Sequence, residues 1–197
     1  PMSAPDFDKR HAGRSILVTG ACGVTSRTVV RALRRSAVFA HTRLVGIDVC
    51  DNPYGLYEGL YDRVVRVPPS RAGEPYRELV QRLCEHERID AAIVIPEPEV
   101  LYWAEHAMPV PALLPPPAFA RLAISKATLY DRLRGSGWTP RHAILSRTQI
   151  SAGDLGDLGC WPLWLRDGGA GSTSGKGALC VTNAAEAAAW MTLNAST

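Results

Sequence analysis

Residues 15–37 limit the fold more than any other stretch of the chain. SILVTG (15–20) is an unbroken apolar run that closes on a glycine, and GACGVTS (20–26) is a tight, small-residue turn. SRTVVRALRRSA (26–37) then sets Val29, Val30, Leu33 and Ala37 on one helical face and arginines on the other. An uninterrupted apolar strand is buried on both faces. A helix that follows it at once packs back onto the sheet the strand came from. The same alternation continues. RLVGID (43–48), RVVRV (63–67) and DAAIVIP (90–96) read as strands, and VPALLPPP (110–117) as a short fifth one. EPYRELVQRLCEHERI (74–89) has Tyr76, Leu79, Val80, Leu83 and Cys84 at helical spacing, and a further helix is expected over residues 99–106. Strands that alternate with helices predict an open, mainly parallel sheet.

Pro115, Pro116 and Pro117 can continue neither a ladder nor a helix, so a domain boundary is expected near residue 118. The chain then divides into a tail (1–14), a first domain (15–117) and a smaller one (118–197). The second opens on SKATLYDRLRGSG (125–137), a helix with Ser125 as N-cap and glycines at its end. RHAIL (141–145), CWPLWLRD (160–167) and ALCV (178–181) read as strands, and NAAEAAAWMTLN (183–194) as a last helix.

Twenty-two basic against 19 acidic residues leave a formal charge of +3, too little to argue for nucleic acid. No apolar run approaches the roughly 20 residues of a membrane span. The N-terminal residues lack the apolar core of a signal peptide and read as a disordered tail, with a Pro before the Met as a cloning scar. Cys22, Cys50, Cys84, Cys160 and Cys180 form no CxxC pair, which favours a reducing, cytoplasmic setting over zinc or a disulfide framework. Lysine is scarce: Lys9, Lys126 and Lys176 are the whole set. That scarcity fits a coding bias toward arginine, and it draws attention to Lys126 and Lys176.

Two glycine-rich stretches carry candidate chemistry. The turn with Gly20 and Gly23 opens a helix, and the next strand ends on Asp48, as in a dinucleotide site. Ser26, however, stands where such a site has its third glycine, and no tyrosine has a lysine four residues on. A nicotinamide-dependent sugar-nucleotide enzyme and a scaffold that merely keeps the turn therefore both remain open. The later cluster, DGGAGSTSGKG (167–177), approaches a P-loop pattern. Gly177 stands where the magnesium-binding hydroxyl belongs, and ALCV follows as a strand rather than a helix.

A third reading accounts for both stretches. ILVTGACG, LVGID, YDRVVRVP, IDAAIVIPEPE, SKATLYDRLRGSGWTPRHAIL and CWPLWLRDGGAGSTSGKGALCV, in that order, resemble the front of an ATP-grasp enzyme of the carbamoyl-phosphate synthetase large-subunit type. The resemblance runs through nearly all of residues 15–194. It implies a Rossmann-like open parallel sheet (the pre-ATP-grasp domain) followed by a small α/β first lobe of an ATP-grasp domain. It also implies that Lys126 reaches the nucleotide and that Arg166, in place of the family's lysine, meets the phosphates with a planar fork. The loop with Gly168, Gly169, Gly171, Ser172, Thr173, Ser174, Gly175 and Lys176 is then expected to fold over the triphosphate, glycines allowing backbone N–H groups to approach it. Lys176 either meets the γ-phosphate or is solvated.

Glu97 and Glu99, at the carboxyl end of strand four, either face a substrate or are surface charges favoured by a helix start. The resemblance further implies ATP and Mg²⁺, a small-molecule carboxylate substrate and an acyl-phosphate intermediate. The acidic Mg²⁺ ligands are expected in a second lobe outside these residues, so this stretch alone is expected to be inactive. No nucleic-acid or membrane partner is expected, and oligomeric state is not legible.

Overall fold

The computed structural model describes residues 13–50, 57–166 and 178–194. They divide into two compact units, with the division between Ala120 and Arg121.

In the first unit β1 (Ser15–Thr19) lies between β2 (Arg43–Asp48) and β4 (Ala91–Ile93), and β3 (Arg63–Arg66) forms the edge beyond β2. The order β3-β2-β1-β4 is parallel throughout, with Thr19 opposite Ile47 and Ile16 opposite both Leu44 and Ala91. Consecutive parallel strands need crossover connections, and α1 (Val24–Arg35) supplies the one from β1 to β2 and α2 (Glu74–Glu87) the one from β3 to β4. Side chains alternate across the sheet. Leu17, Val45 and Ile47 join Tyr76, Val80, Leu83 and Trp103 in one apolar cluster. Val18 and Leu44 join Val30 and Tyr61 in the other. Both faces are covered, as the continuous apolar strands require.

The arginine face of α1 is not simply solvated. Arg34 donates to Leu60 O (3.0 Å), Thr42 O (2.8 Å) and the Asp62 carboxylate (2.8 Å), pinning the chain on either side of β2. Arg27 and Arg31 both pair with Glu58. Gly46, inside β2, admits neighbours that a Cβ would displace: Ala21 Cβ would lie 2.6 Å from it and Tyr61 ring carbons 3.1 Å. α3 (Glu97–Glu105) follows β4.

The fifth strand expected over residues 110–117 is one parallel bridge, Ala92 to Ala112, because Pro109, Pro111 and the three prolines that follow remove ladder donors. The proline block also starts a helix, α4 (Pro117–Ile124), with Pro117 at its first position, where a missing N–H costs nothing. The division between the units falls within it.

The second unit has α5 (Lys126–Arg132), α6 (Arg147–Ser151), a 3-10 turn (Gly156–Leu158), the antiparallel pair β5 (Leu163–Leu165) and β6 (Leu179–Val181), and α7 (Ala184–Leu193). Its core gathers Ile150, Val181, Ala187 and Met191. α5 is shorter than residues 125–137 because Gly135 and Gly137, both at φ +78°, have left the helical region. Residues 141–145 are not a strand. Side chains hold this segment instead of a ladder: Arg141 donates to Asp157 O, the His142 ring meets Tyr130 edge-on, and Leu145 packs on the core.

Candidate functional site

The strand order reverses between β1 and β4, and in open α/β sheets ligands bind outside the carboxyl ends of the strands at such a point. Gly20, Gly23, Asp48, Glu97 and Glu99 all belong to this edge. Gly20 turns the chain at φ +64°, and Gly23 N donates back to Gly20 O at 2.8 Å to start α1. The close approach that Gly20 permits is made by Pro96: its Cγ would stand 2.5 Å from a Cβ at position 20. Ser26, 1% exposed, fits where a glycine was expected, because its Oγ donates to Thr19 O (2.9 Å) and stitches helix to strand.

Asp48 is engaged by the chain's own backbone. Its Oδ2 accepts from Cys22 N (2.8 Å) and its Oδ1 from Cys50 N (2.9 Å), so the carboxylate closes the turn. With Pro96 seated on Gly20, these contacts count against the nicotinamide reading.

The two glutamates differ. Glu97 is half-buried in the first turn of α3. Glu99 is buried, so it is no surface charge. Tyr76 OH donates to Glu99 Oε2 (3.1 Å), Trp103 Nε1 donates to Tyr76 OH (3.0 Å), and the Thr19 hydroxyl bonds Glu99 while accepting from Ile95 N (3.1 Å). Burial raises the Glu99 carboxyl to about 6, the Thr19 and Tyr76 hydrogen bonds oppose that rise, and the Asp48 charge adds to it. Burial, then Asp48, likewise pushes the Cys22 thiol up to about 12. The network could not be foreseen from spacing, since Thr19, Tyr76 and Glu99 lie on three elements. The signal available was one Glu at the third position of a helix following an apolar strand.

In the second unit Lys126 is the first residue of α5, and its Nζ donates to Ala123 O (3.0 Å). Arg166 directly follows β5. Gly168, Gly169, Gly171, Ser172, Thr173, Ser174, Gly175 and Lys176 lie outside the described residues. What flanks them is described: β5 and β6 pair antiparallel, Leu165 opposite Leu179. The glycine-rich connection therefore joins two adjacent strands, and no helix begins at its end to make a P-loop. The sequence reading missed a groove of about 390 Å³ whose walls include Arg134, Arg141 and His142 beside Gly135 and Gly137. Three basic or imidazole side chains around two glycines were its visible mark.

Among the described residues no group of three His, Cys, Asp or Glu side chains is placed to hold a metal ion. No described helix is long and apolar enough to cross a membrane.

No family model matches the sequence, and no curated protein matches it significantly. The structure is similar to that of an L-amino acid ligase from Bacillus licheniformis, with a TM-score of 0.57 and 16% identity. The likeness is one of fold. It covers 93% of this chain, which spans 43% of the ligase's length. The Rossmann-like parallel sheet followed by a smaller α/β unit is thus an arrangement found in a known ligase.

Proposed function

We propose that the chain is the nucleotide-gripping front part of an ATP-dependent ligase of the ATP-grasp type, related in plan to the carbamoyl-phosphate synthetase large subunit. The observation that carries this reading is the β5–β6 pair joined by a stretch of glycines and hydroxyls with Arg166 at its root. An antiparallel hairpin needs two to five connecting residues, so a far longer glycine-rich one has another use. Lys126 and Arg166 fit ATP in chemistry: both are cations in the unit that carries this stretch. Gly168 to Lys176 supply backbone and hydroxyl donors toward phosphate oxygens.

Bound ATP supplies the phosphoryl group that activates a small-molecule carboxylate, and an amine or similar nucleophile then displaces it. The chain's own part is to hold and orient the phosphates. The described residues offer no carboxylate cluster for Mg²⁺. The ligase likeness supports the fold behind this reading, and the substrate class rests on the resemblance.

Calorimetry on the full chain provides the test. ATP is expected to bind and NAD(P) not to. Arg166→Ala should weaken ATP binding by about tenfold or more, the loss of one or more charge-assisted hydrogen bonds of about 1.5–3 kcal/mol. NAD(P) binding in preference to ATP, or unchanged ATP affinity in Arg166→Ala, would overturn the assignment.

A further inference from the structure

The extensions of β1 and β2 carry one cysteine each. Past Thr19 the chain turns at Gly20 and reaches Cys22, and past Asp48 it reaches Cys50. The strands are paired just before these extensions: Thr19 lies opposite Ile47, and Ala21 N donates to Ile47 O at 3.0 Å. Neighbouring strands run about 4.8 Å apart, and disulfides bridge Cα atoms roughly 4.4–6.8 Å apart. A single carboxylate draws the two segments together, since Asp48 accepts from both Cys22 N (2.8 Å) and Cys50 N (2.9 Å). Asp48 and Cys50 are also near enough to the Cys22 thiol to push it up. Cys50 is exposed and Cys22 half-buried. Beside Cys22, the Tyr61 hydroxyl is buried with no hydrogen-bond partner among the described residues.

We propose that Cys22 and Cys50 are a redox-convertible pair, which a peroxide closes into a disulfide joining the Gly20–Gly23 turn to the end of β2. In the first step the accessible Cys50 sulfur attacks a peroxide oxygen, and its thiol proton passes to the leaving hydroxide. The S–O bond forms and the O–O bond breaks. The sulfur is oxidised by two electrons, and with hydrogen peroxide one water leaves. In the second step the Cys22 sulfur attacks the Cys50 sulfur. The S–S bond forms, the S–O bond breaks, and the Cys22 proton leaves with hydroxide as a second water. Two thiols and one hydrogen peroxide thus give one disulfide and two waters. Burial and Asp48 keep the Cys22 thiol protonated, so Cys22 enters second, as the resolving group. Closure ties down the turn that opens α1, at the sheet edge where the strand order reverses.

Peptide mapping of the full chain under non-reducing conditions, after treatment of the reduced protein with hydrogen peroxide, tests this. The expected product has lost two of its five thiols and links the Cys22 peptide to the Cys50 peptide, reversibly with dithiothreitol. In Cys22→Ser the reaction should halt at a Cys50 sulfenic acid that dimedone captures. In Cys50→Ser, Cys22 should stay reduced at the same dose. Failure of the two peptides to link while Cys160 or Cys180 oxidises would overturn the proposal. So would Cys22 oxidation that proceeds equally well in Cys50→Ser.

Discussion

At position 99 a carboxyl group is 6% exposed, and two hydroxyls hold it in place. Burial disfavours its charged form, so the folded protein keeps the proton up to about pH 6, against an ordinary value of 4.5. Between those values the folded state binds more protons than the unfolded chain. Stability therefore falls as pH rises from about 4.5 through 6, by about 2 kcal/mol in all. Glu99→Gln keeps an acceptor for Tyr76 and cannot ionise. Urea unfolding at a series of pH values should show this decline in the wild type and lose it in the variant. Parallel pH profiles would mean that Glu99 is charged in the fold at no cost. Glu87 behaves oppositely: Arg43 and Arg63 hold it below the ordinary range, even though its side chain is buried. Both are buried glutamates on helices, and only their partners separate them.

Among the elements, the long ones follow from pattern and the short ones from their caps. α1 and α2 carry enough apolar positions at helical spacing to be read directly, and both fall within two residues of their expected ends. α6 has five residues, too few for pattern to identify. It exists because Ser146 and Gln149 form a capping box, Ser146 Oγ accepting from Gln149 N (3.2 Å) and Gln149 Oε1 from Ser146 N (2.9 Å). This helix places Ile150 in the second unit's core. Ser146→Ala should lower the unfolding free energy by about 1 kcal/mol in a urea titration. A midpoint that does not move would show that Ile150 alone holds the helix. The Ser-x-x-Gln signature was legible at residues 146–149, but a run of polar residues around it masked the helix. The strand expected at residues 141–145 failed for a complementary reason. Its side chains settle it instead, Arg141 on Asp157 O, His142 on Tyr130 and Leu145 on the core.

For the whole molecule, the informative contrast is between the two glycine-rich stretches. The first, at Gly20–Gly23, lies under Pro96 and is bound to Asp48, so its glycines serve close packing within the first unit. The second leaves β5 and returns into β6, and those strands pair residue for residue. Replacing residues 167–177 by Asn-Gly supplies the turn that a two-residue hairpin prefers. The second unit should keep its fold, with a melting temperature within about 4 °C of the wild type, while ATP binding is lost. Retained ATP binding in a variant that melts normally would remove the loop from the proposed grip.

The sequence by itself determined the alternation of strand and helix, the parallel sheet and the location of the glycine-rich segments, because hydrophobic periodicity and glycine are local properties that act through the backbone of each segment. Only the tertiary structure decided what the polar residues do. Asp48 became a clasp for Cys22 and Cys50, Glu99 the centre of a buried network, and Arg34 an anchor for the chain around β2. A charged or hydroxyl side chain takes its role from the donors, acceptors and burial around it, and here those come from elements as many as 76 residues away in the chain.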